Sequence, residues 1–203
     1  MANGKVCIGF SKPYVAKYTN TGGTVSYSGG MPLARGVSVS IEPTVSDNNN
    51  FYADNVLAET EAGVFTGGTA TLTVDGLLQE AEQFIMGLPD PEEFSYGTSK
   101  TVDVLKYGNS VSIPNVGIGF IAMYMSDGVI SYTPMVLRKA KFNTPSTNAQ
   151  TKGEQFDWQT QELTAALMRD DSPAADWKWI GADQTSEAEA DEIVKAFLNI
   201  AKS

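Results

Sequence analysis

Few residues in this sequence have types and spacing that suggest catalysis. Asp170 and Asp171 are adjacent carboxylic acids, and glycoside hydrolysis uses a pair of such groups. They could supply one half of such a pair, but the sequence indicates no residue for the other half. They also precede Ser-Pro, which is typical of a turn. The 203 residues contain no histidine and one cysteine, Cys7. This composition excludes histidine-based acid–base catalysis, zinc sites with histidine ligands, multi-cysteine metal clusters and an intrachain disulfide.

Motifs for binding are equally sparse. Residues 47–51 (DNNNF) begin like a calcium-binding loop, but position 6 is not glycine and position 12 is not glutamate. The GIG sequence at 117–119 is too short for a dinucleotide fingerprint. Trp158, Trp177 and Trp179 could stack on sugars, although core or interface packing is the commoner role of tryptophan. We therefore predict no catalytic, cofactor or metal site, and a protein that is not an enzyme.

Acidic residues are distributed unevenly along the chain. The chain has 14 basic and 24 acidic residues, a net charge of −10, which argues against tight binding of nucleic acid phosphates. The segment from Pro43 to Ser99 contains ten acidic residues and no lysine or arginine. An acidic segment of this kind is usually a solvated face. The complete absence of basic residues from 43–99 is unusual, and a functional interpretation of the chain should account for it.

Period-two alternation predicts that the chain is mainly β. Residues 35–42 place Val37, Val39 and Ile41 on one face, and residues 69–75 alternate in the same way. Asp127-Gly128 predicts a tight hairpin turn. We predict weaker strands at 5–10, 14–18, 25–27, 51–58 and 101–107. After the turn, the strand pattern continues at 129–142 and 155–168. Helices are predicted at 77–86, stopped by Gly87, and from Ser186, with Ser186 and Glu189 as a capping box.

The segment from Val116 to Met125 is apolar on both faces of a predicted strand. One face has Ile118, Phe120 and Tyr124, and the other has Ile121, Met123 and Met125. Such a strand is either central and covered on both sides, or directed on its outer face towards another subunit.

The chain has no visible domain boundary. No Pro- or Ser-rich linker and no repeat divides residues 1–203, so we predict a single domain. The polar connection at 143–154 predicts a mobile loop. The longest nearly apolar run, at 117–125, is far shorter than the roughly 20 residues of a membrane span, and the first residues lack an apolar signal segment. We therefore expect no association with a membrane.

Several segments resemble the major tail protein, or tail tube protein, of long-tailed bacteriophages. They are FYADNVLAE at 51–59, FTGGTATLTVDGL at 65–77, GIGFIAMY at 117–124 with its Asp-Gly hairpin, and the region 134–171, followed by an acidic helix. The likeness runs in order along nearly the whole chain and is most specific in KAKFNTPS, TKGE, DWQT and MRDD. The resemblance implies an antiparallel β-sandwich or half-barrel with a flanking helix and a C-terminal helix.

The resemblance also implies a function in assembly. Subunits of this family form hexameric rings whose inner sheets join into one barrel, and the rings stack into a tube around a tape measure protein. Tail terminator and tip proteins are the other implied partners, and DNA later passes through without tight binding. The implied location is the virion tail, assembled in the cytoplasm of the bacterial host.

Two sets of site residues follow from this interpretation. Acidic residues from the segment without basic residues are candidates for the lumen: Asp54, Glu59, Glu61 and Asp75. Residues of the doubly apolar strand are candidates for the subunit interface: Ile118, Phe120, Ile121, Met123, Tyr124 and Met125.

Three alternatives remain open at the level of sequence. One is the tube protein of a phage-like bacteriocin or a contractile injection particle. Another is a carbohydrate-binding or adhesin-like β-sandwich, which would use the tryptophans. The third is a two-carboxylate hydrolase that works without histidine.

Overall fold

The alternating segments form antiparallel strands, and the mainly β class with two helices is confirmed. The computed structural model describes residues 4–109, 111–151 and 158–201. The elements are β1 (Val6–Thr21), β2 (Thr24–Pro32), β3 (Gly36–Val45), β4 (Asn49–Ala53), β5 (Val56–Glu61), β6 (Phe65–Val74), α1 (Gln79–Met86), β7 (Glu92–Tyr96), β8 (Lys100–Val104), β9 (Val116–Ser126), β10 (Val129–Phe142), β11 (Gln161–Met168), β12 (Lys178–Ile180) and α2 (Glu187–Phe197).

Eight strands belong to one rolled sheet. Its order is β2-β1-β9-β10-β11-β6-β3, and the short β12 pairs with β10 beside this path. Strands β1 and β3 are far apart in this order, yet the ring of Phe10 lies against the backbone of Gly36. The sheet therefore curls until β3 comes against β1 around an enclosed core.

The main core fills the inside of this curl. Apolar side chains from β1, β6, β9, β10 and β11 meet there, and α1 adds Ala81, Ile85 and Met86 from its buried face. The helix ends at Gly87, whose φ of 60° is left-handed, as expected for a glycine C-cap. At eight residues α1 is too short to be stable alone, so its burial in the core stabilises it.

Helix α2 covers the outer face of the sheet and forms a second core. Ala190, Val194 and Leu198 are buried against Ile121 and other apolar residues of β1, β2 and β10. Ser186 caps the helix, since its hydroxyl accepts the amide hydrogen of Glu189 at 3.2 Å. The helix comes very close to β9 because this face of the strand begins with glycines.

Gly119 is expected to be essential for this close approach. A Cβ atom there would lie 2.6 Å from Cγ1 of Val194 and 2.8 Å from Cδ1 of Leu198. We expect Gly119→Val to destabilise the fold by about 1–3 kcal/mol, the usual cost of overpacking. Urea unfolding would measure this, with Gly108→Val as the control because a Cβ at Gly108 meets nothing within 4 Å. Equal stability of the two variants would contradict this packing of α2.

A buried ion pair attaches the 169–180 segment to the sheet. Nε and Nη2 of Arg138 both donate to Oδ2 of Asp170, at 2.8 and 2.6 Å. The amide and hydroxyl of Ser172 donate to the other oxygen, and the guanidinium lies 3.6 Å from the centre of the Trp179 ring. Both charged side chains are almost completely buried. Their polar groups are therefore satisfied by each other and by these neighbours.

Several boundaries differ from the sequence prediction. The predicted strand 51–58 is wrong, because Asp54 and Asn55 have positive φ and turn the chain into the β4–β5 hairpin. Val37 is exposed rather than core-facing, since it lies in a register break of β3 between Gly36 and Ser38. The 5–10 and 14–18 segments belong to one bent strand. Strands β7 and β12 were not predicted.

The tight turn predicted at Asp127-Gly128 is confirmed. Asp127 and Gly128 both have positive φ and connect β9 to β10 by a tight turn. The predicted strand at 155–168 begins at Gln161, and 155–157 lie outside the described residues. The predicted loop lies partly outside them too, at 152–154, while 143–151 have no helix or strand. No helix in the described ranges is long and apolar enough to cross a membrane.

Candidate assembly surfaces

Strand β3 is an open edge of the main sheet. It pairs with β6 on one side and ends the strand order on the other. Proline and lysine commonly protect exposed edges, and the ten residues of β3 contain one proline and no lysine. The backbone groups on its free side are therefore available to another strand.

The opposite side of the sheet is also open. Strand β2 ends the order there and pairs with β1 only between Tyr14 and Thr21. The first half of β1, residues 6–11, pairs with β9 on one side alone. Val6 and Ile8 are exposed on this half-strand. The sheet thus has unpaired backbone at both of its lateral limits.

The hairpin at 49–61, which we call the acidic hairpin, projects from the sheet. It consists of β4 and β5, pairs with no other strand of the described residues, and every residue of both strands is exposed. Tyr52 opposes Leu57 on one face, while Val56 lies on the other. Because a lone two-stranded hairpin is only marginally stable in water, apolar groups on both faces point to contacts with other chains.

A second hairpin, at 92–104, consists of β7 and β8 and is also separate from the sheet. Phe94, Tyr96 and Val102 are 57%, 49% and 47% exposed. At its base Lys106 forms an ion pair with Glu92. The Tyr107 hydroxyl just beyond β8 donates to the Glu82 carboxylate of α1 at 2.6 Å, and burial together with this hydrogen bond raises the pKa of Tyr107 to about 12.

The four lumen candidates do not lie together. Asp54 is in the turn of the acidic hairpin, and Glu59 and Glu61 are on β5, all exposed. Asp75 follows the far end of β6 and is bound by Arg35, whose hydrogen bond lowers the pKa of the Asp75 carboxyl. Any shared acidic surface therefore consists of the three hairpin carboxylates.

The interface candidates on β9 fall into two groups. Ile118 and Phe120 are buried in the main core, and Ile121 is buried under α2. The strand is thus central and covered on both faces here, the first of the two interpretations from sequence. In this arrangement the three side chains have no surface left for a neighbouring subunit. Only the distal residues have exposed surface: Met123, Tyr124 and Met125.

Most of the residues considered for catalysis or sugar binding have structural contacts, whereas Trp158 is 87% exposed. Asp170 is held in the buried ion pair, and Asp171 accepts hydrogen bonds from Lys139 and Tyr18, which lower the pKa of its carboxyl. Trp177 stacks on Phe65 with ring centres 4.5 Å apart. Within the described ranges, no group of three Cys, Asp or Glu residues could hold a metal ion.

A groove of about 740 Å³ lies beside α1. Met31, Phe84 and Leu88 contribute apolar walls, and Lys17 and Glu80 contribute charge. The residues 114–115 that lead into β9 close one side. Sequence reasoning missed this groove and the first strand, β7, of the second hairpin, whose second strand β8 overlaps the strand predicted at 101–107. Alternation on the amino-terminal side of Gly97 was a usable signal for β7.

The sequence matches no protein-family model and no curated protein. The assembly surfaces therefore rest on the geometry described above.

Proposed function

We propose that this protein is a structural subunit that assembles into hexameric rings, which stack into the tail tube of a long-tailed bacteriophage. The observation that carries the proposal is the combination of a rolled sheet open at both lateral limits with two hairpins that are almost entirely exposed in the described part of the chain. The resemblance of the sequence to the tail tube family supplies the specific form of the assembly.

The open sides favour a ring. Because β3 lies at one limit of the sheet and β1–β2 at the other, edge-to-edge pairing would join unlike surfaces of successive copies. Such heterologous contacts close into a ring when the rotation between copies allows it. The six neighbouring sheets would then form one continuous barrel with no free edge.

The acidic hairpin favours stacking of the rings. It joins the end of β3 to the start of β6, and β6 runs antiparallel to β9 through three antiparallel pairings. The hairpin therefore lies at the end of the sheet opposite the start of β9. Because the acidic hairpin projects from this end, it would contact the opposite end of the next ring. Such a contact joins unlike surfaces, so rings can be added repeatedly to a stack instead of stopping at a pair of rings.

Electron microscopy of the purified protein, in negative stain, tests this function. We expect rings with sixfold symmetry, or tubes at high protein concentration. A protein that remains monomeric by light scattering at every concentration, with no rings on the grid, would contradict the proposal. Tape measure, terminator and tip proteins are the further partners of this proposal, and the virion tail is the proposed location.

The charge of the wall leads to a prediction about DNA. If the segment without basic residues, 43–99, lines the lumen, the wall attracts no phosphates, and we expect assembled tubes to show no appreciable DNA affinity at about 0.15 M salt. Replacing Asp54, Glu59 and Glu61 together with lysine should create salt-sensitive DNA retention if the acidic hairpin borders the lumen. A filter-binding assay on intact tubes would measure this.

The control replaces Asp90, Glu93 and Asp103 with lysine, the same change of charge on the second hairpin and just before it. Retention by both variants to the same extent would show that total charge, and not lumen position, governs DNA binding. Tight binding by unmodified tubes would contradict a passive conduit.

A further inference from the structure

The hairpin at 92–104 is amphipathic, and its apolar face is uncovered. Register places Phe94 opposite Val102 and Tyr96 opposite Lys100 on one face. The other face is entirely polar and consists of Glu93, Ser95, Thr101 and Asp103. Period-two segregation of this kind is what a strand pair needs when one face is buried and the other meets water. In the single chain nothing described covers the apolar face.

The base of the hairpin is attached to the body of the molecule. Leu105, just after β8, packs against the main core. The hydrogen bond between Tyr107 and Glu82 attaches the same end to α1, and the pair of Glu92 and Lys106 closes the base. The apolar face is thus presented on a hairpin whose base is anchored, which limits the entropy lost on binding.

The groove beside α1 shares the apolar character of this face and carries a carboxylate at its edge, Glu80. Its walls of Met31, Phe84 and Leu88 are apolar, as are the side chains that the hairpin would insert. Within the described ranges, Lys17 and Glu80 in the groove have no ion-pair partner, and neither does Lys100 near the hairpin tip. A lysine beside the aromatic residues of the hairpin therefore matches a free carboxylate at the groove.

We propose that the apolar face of the 92–104 hairpin docks into the groove beside α1 of a second copy of this chain, with Lys100 facing Glu80 of that copy. This inference rests on the proposed self-assembly and names the contact between neighbours in it. Hairpin and groove both adjoin α1, so each copy carries both halves of the contact near this helix. The contact joins unlike surfaces and is therefore of the kind that closes a ring.

A charge exchange tests the contact in the full-length chain. We expect Lys100→Glu and Glu80→Lys each to weaken self-association about tenfold or more, because each change places like charges together. The double variant should restore association to within about threefold of wild type, since the pair is re-formed in reverse. Sedimentation velocity over a concentration series would measure the association constants. Glu93→Lys, on the polar face, is the matched control for Glu80→Lys and should leave association unchanged.

Disulfide trapping gives an independent readout. In a Cys7→Ser background, chains with Val102→Cys are mixed with chains with Phe84→Cys under mild oxidation. A disulfide-linked heterodimer that forms only in the mixture supports the docking. Rings that assemble normally in both charge variants, with no heterodimer, would overturn the docking while leaving self-assembly intact. A monomeric wild type with no heterodimer would overturn both.

Discussion

Replacing Arg138 with methionine is expected to destabilise the fold by about 3–5 kcal/mol, the usual effect of breaking a buried ion pair from one side. The carboxylate of Asp170 would remain fully buried without its cationic partner. The stacking of the guanidinium on Trp179 would be lost as well. Urea unfolding at pH 7 would measure the change in the free energy of unfolding.

A surface pair of the same two residue types provides the control. Arg35 also forms an ion pair with an aspartate, Asp75, but its side chain is 91% exposed. We therefore expect Arg35→Met to change stability by no more than about 1 kcal/mol. A similar loss in both variants would contradict the importance of burial for the Arg138 pair.

The difference between wild type and Arg138→Met should also depend on pH. Burial raises the pKa of Asp170, but the hydrogen bonds from Ser172 and Arg138 outweigh it and hold the pKa below its ordinary value. A carboxyl with a lowered folded pKa stabilises the fold above its unfolded pKa of about 3.9, and this contribution is lost as pH falls below that value. The gap should therefore narrow from pH 7 towards pH 3. A constant gap would assign the loss to packing on Trp179.

Introducing lysine at Ser38 and Ser40 together is expected to prevent ring formation while the monomer stays folded. Both side chains lie on the exposed face of the open β3 edge. Lysine is the residue that most commonly protects natural edges from strand addition. Two lysines forced into a contact should weaken association on the order of a hundredfold. Light scattering and negative-stain microscopy would detect the loss of rings.

The control carries the same charge change on a polar surface. Ser95→Lys with Thr101→Lys modifies the polar face of the 92–104 hairpin, where we propose no contact. Normal rings in this control and none in the β3 variant would support edge pairing. Rings in both would remove β3 from the subunit boundary.

The sequence is sufficient to predict elements whose signals are local. Ser186 caps the start of α2 and Gly87 caps the end of α1, and each cap depends on residues within one turn. The positive φ angles of Asp127 and Gly128 suit their hairpin turn by backbone preference alone. The central strand β9 is recognisable because both of its faces are apolar. Such signals depend on residues within about ten positions of one another.

Long-range features could not be predicted in this way. Alternation in β3 indicates a strand, but it does not indicate whether that strand has one neighbour or two. Whether β3 is an edge strand depends on the strand order of the whole sheet. Arg138 and Asp170 are 32 positions apart and become partners only through the path of the chain after β11. The turn at Asp54-Asn55 was missed because neither residue is glycine, although both adopt positive φ.

The covering of β9 by α2 has a consequence for the order of synthesis. The ribosome makes the end of β9 at Ser126 about 60 residues before α2 begins at Glu187, an interval of roughly 3–12 s at about 5–20 residues per second. During this time the outer face of the central strand, with its two glycines and Ile121, has no helix to cover it. Pairing with other nascent chains competes with folding in this interval, and the arrival of α2 ends that competition.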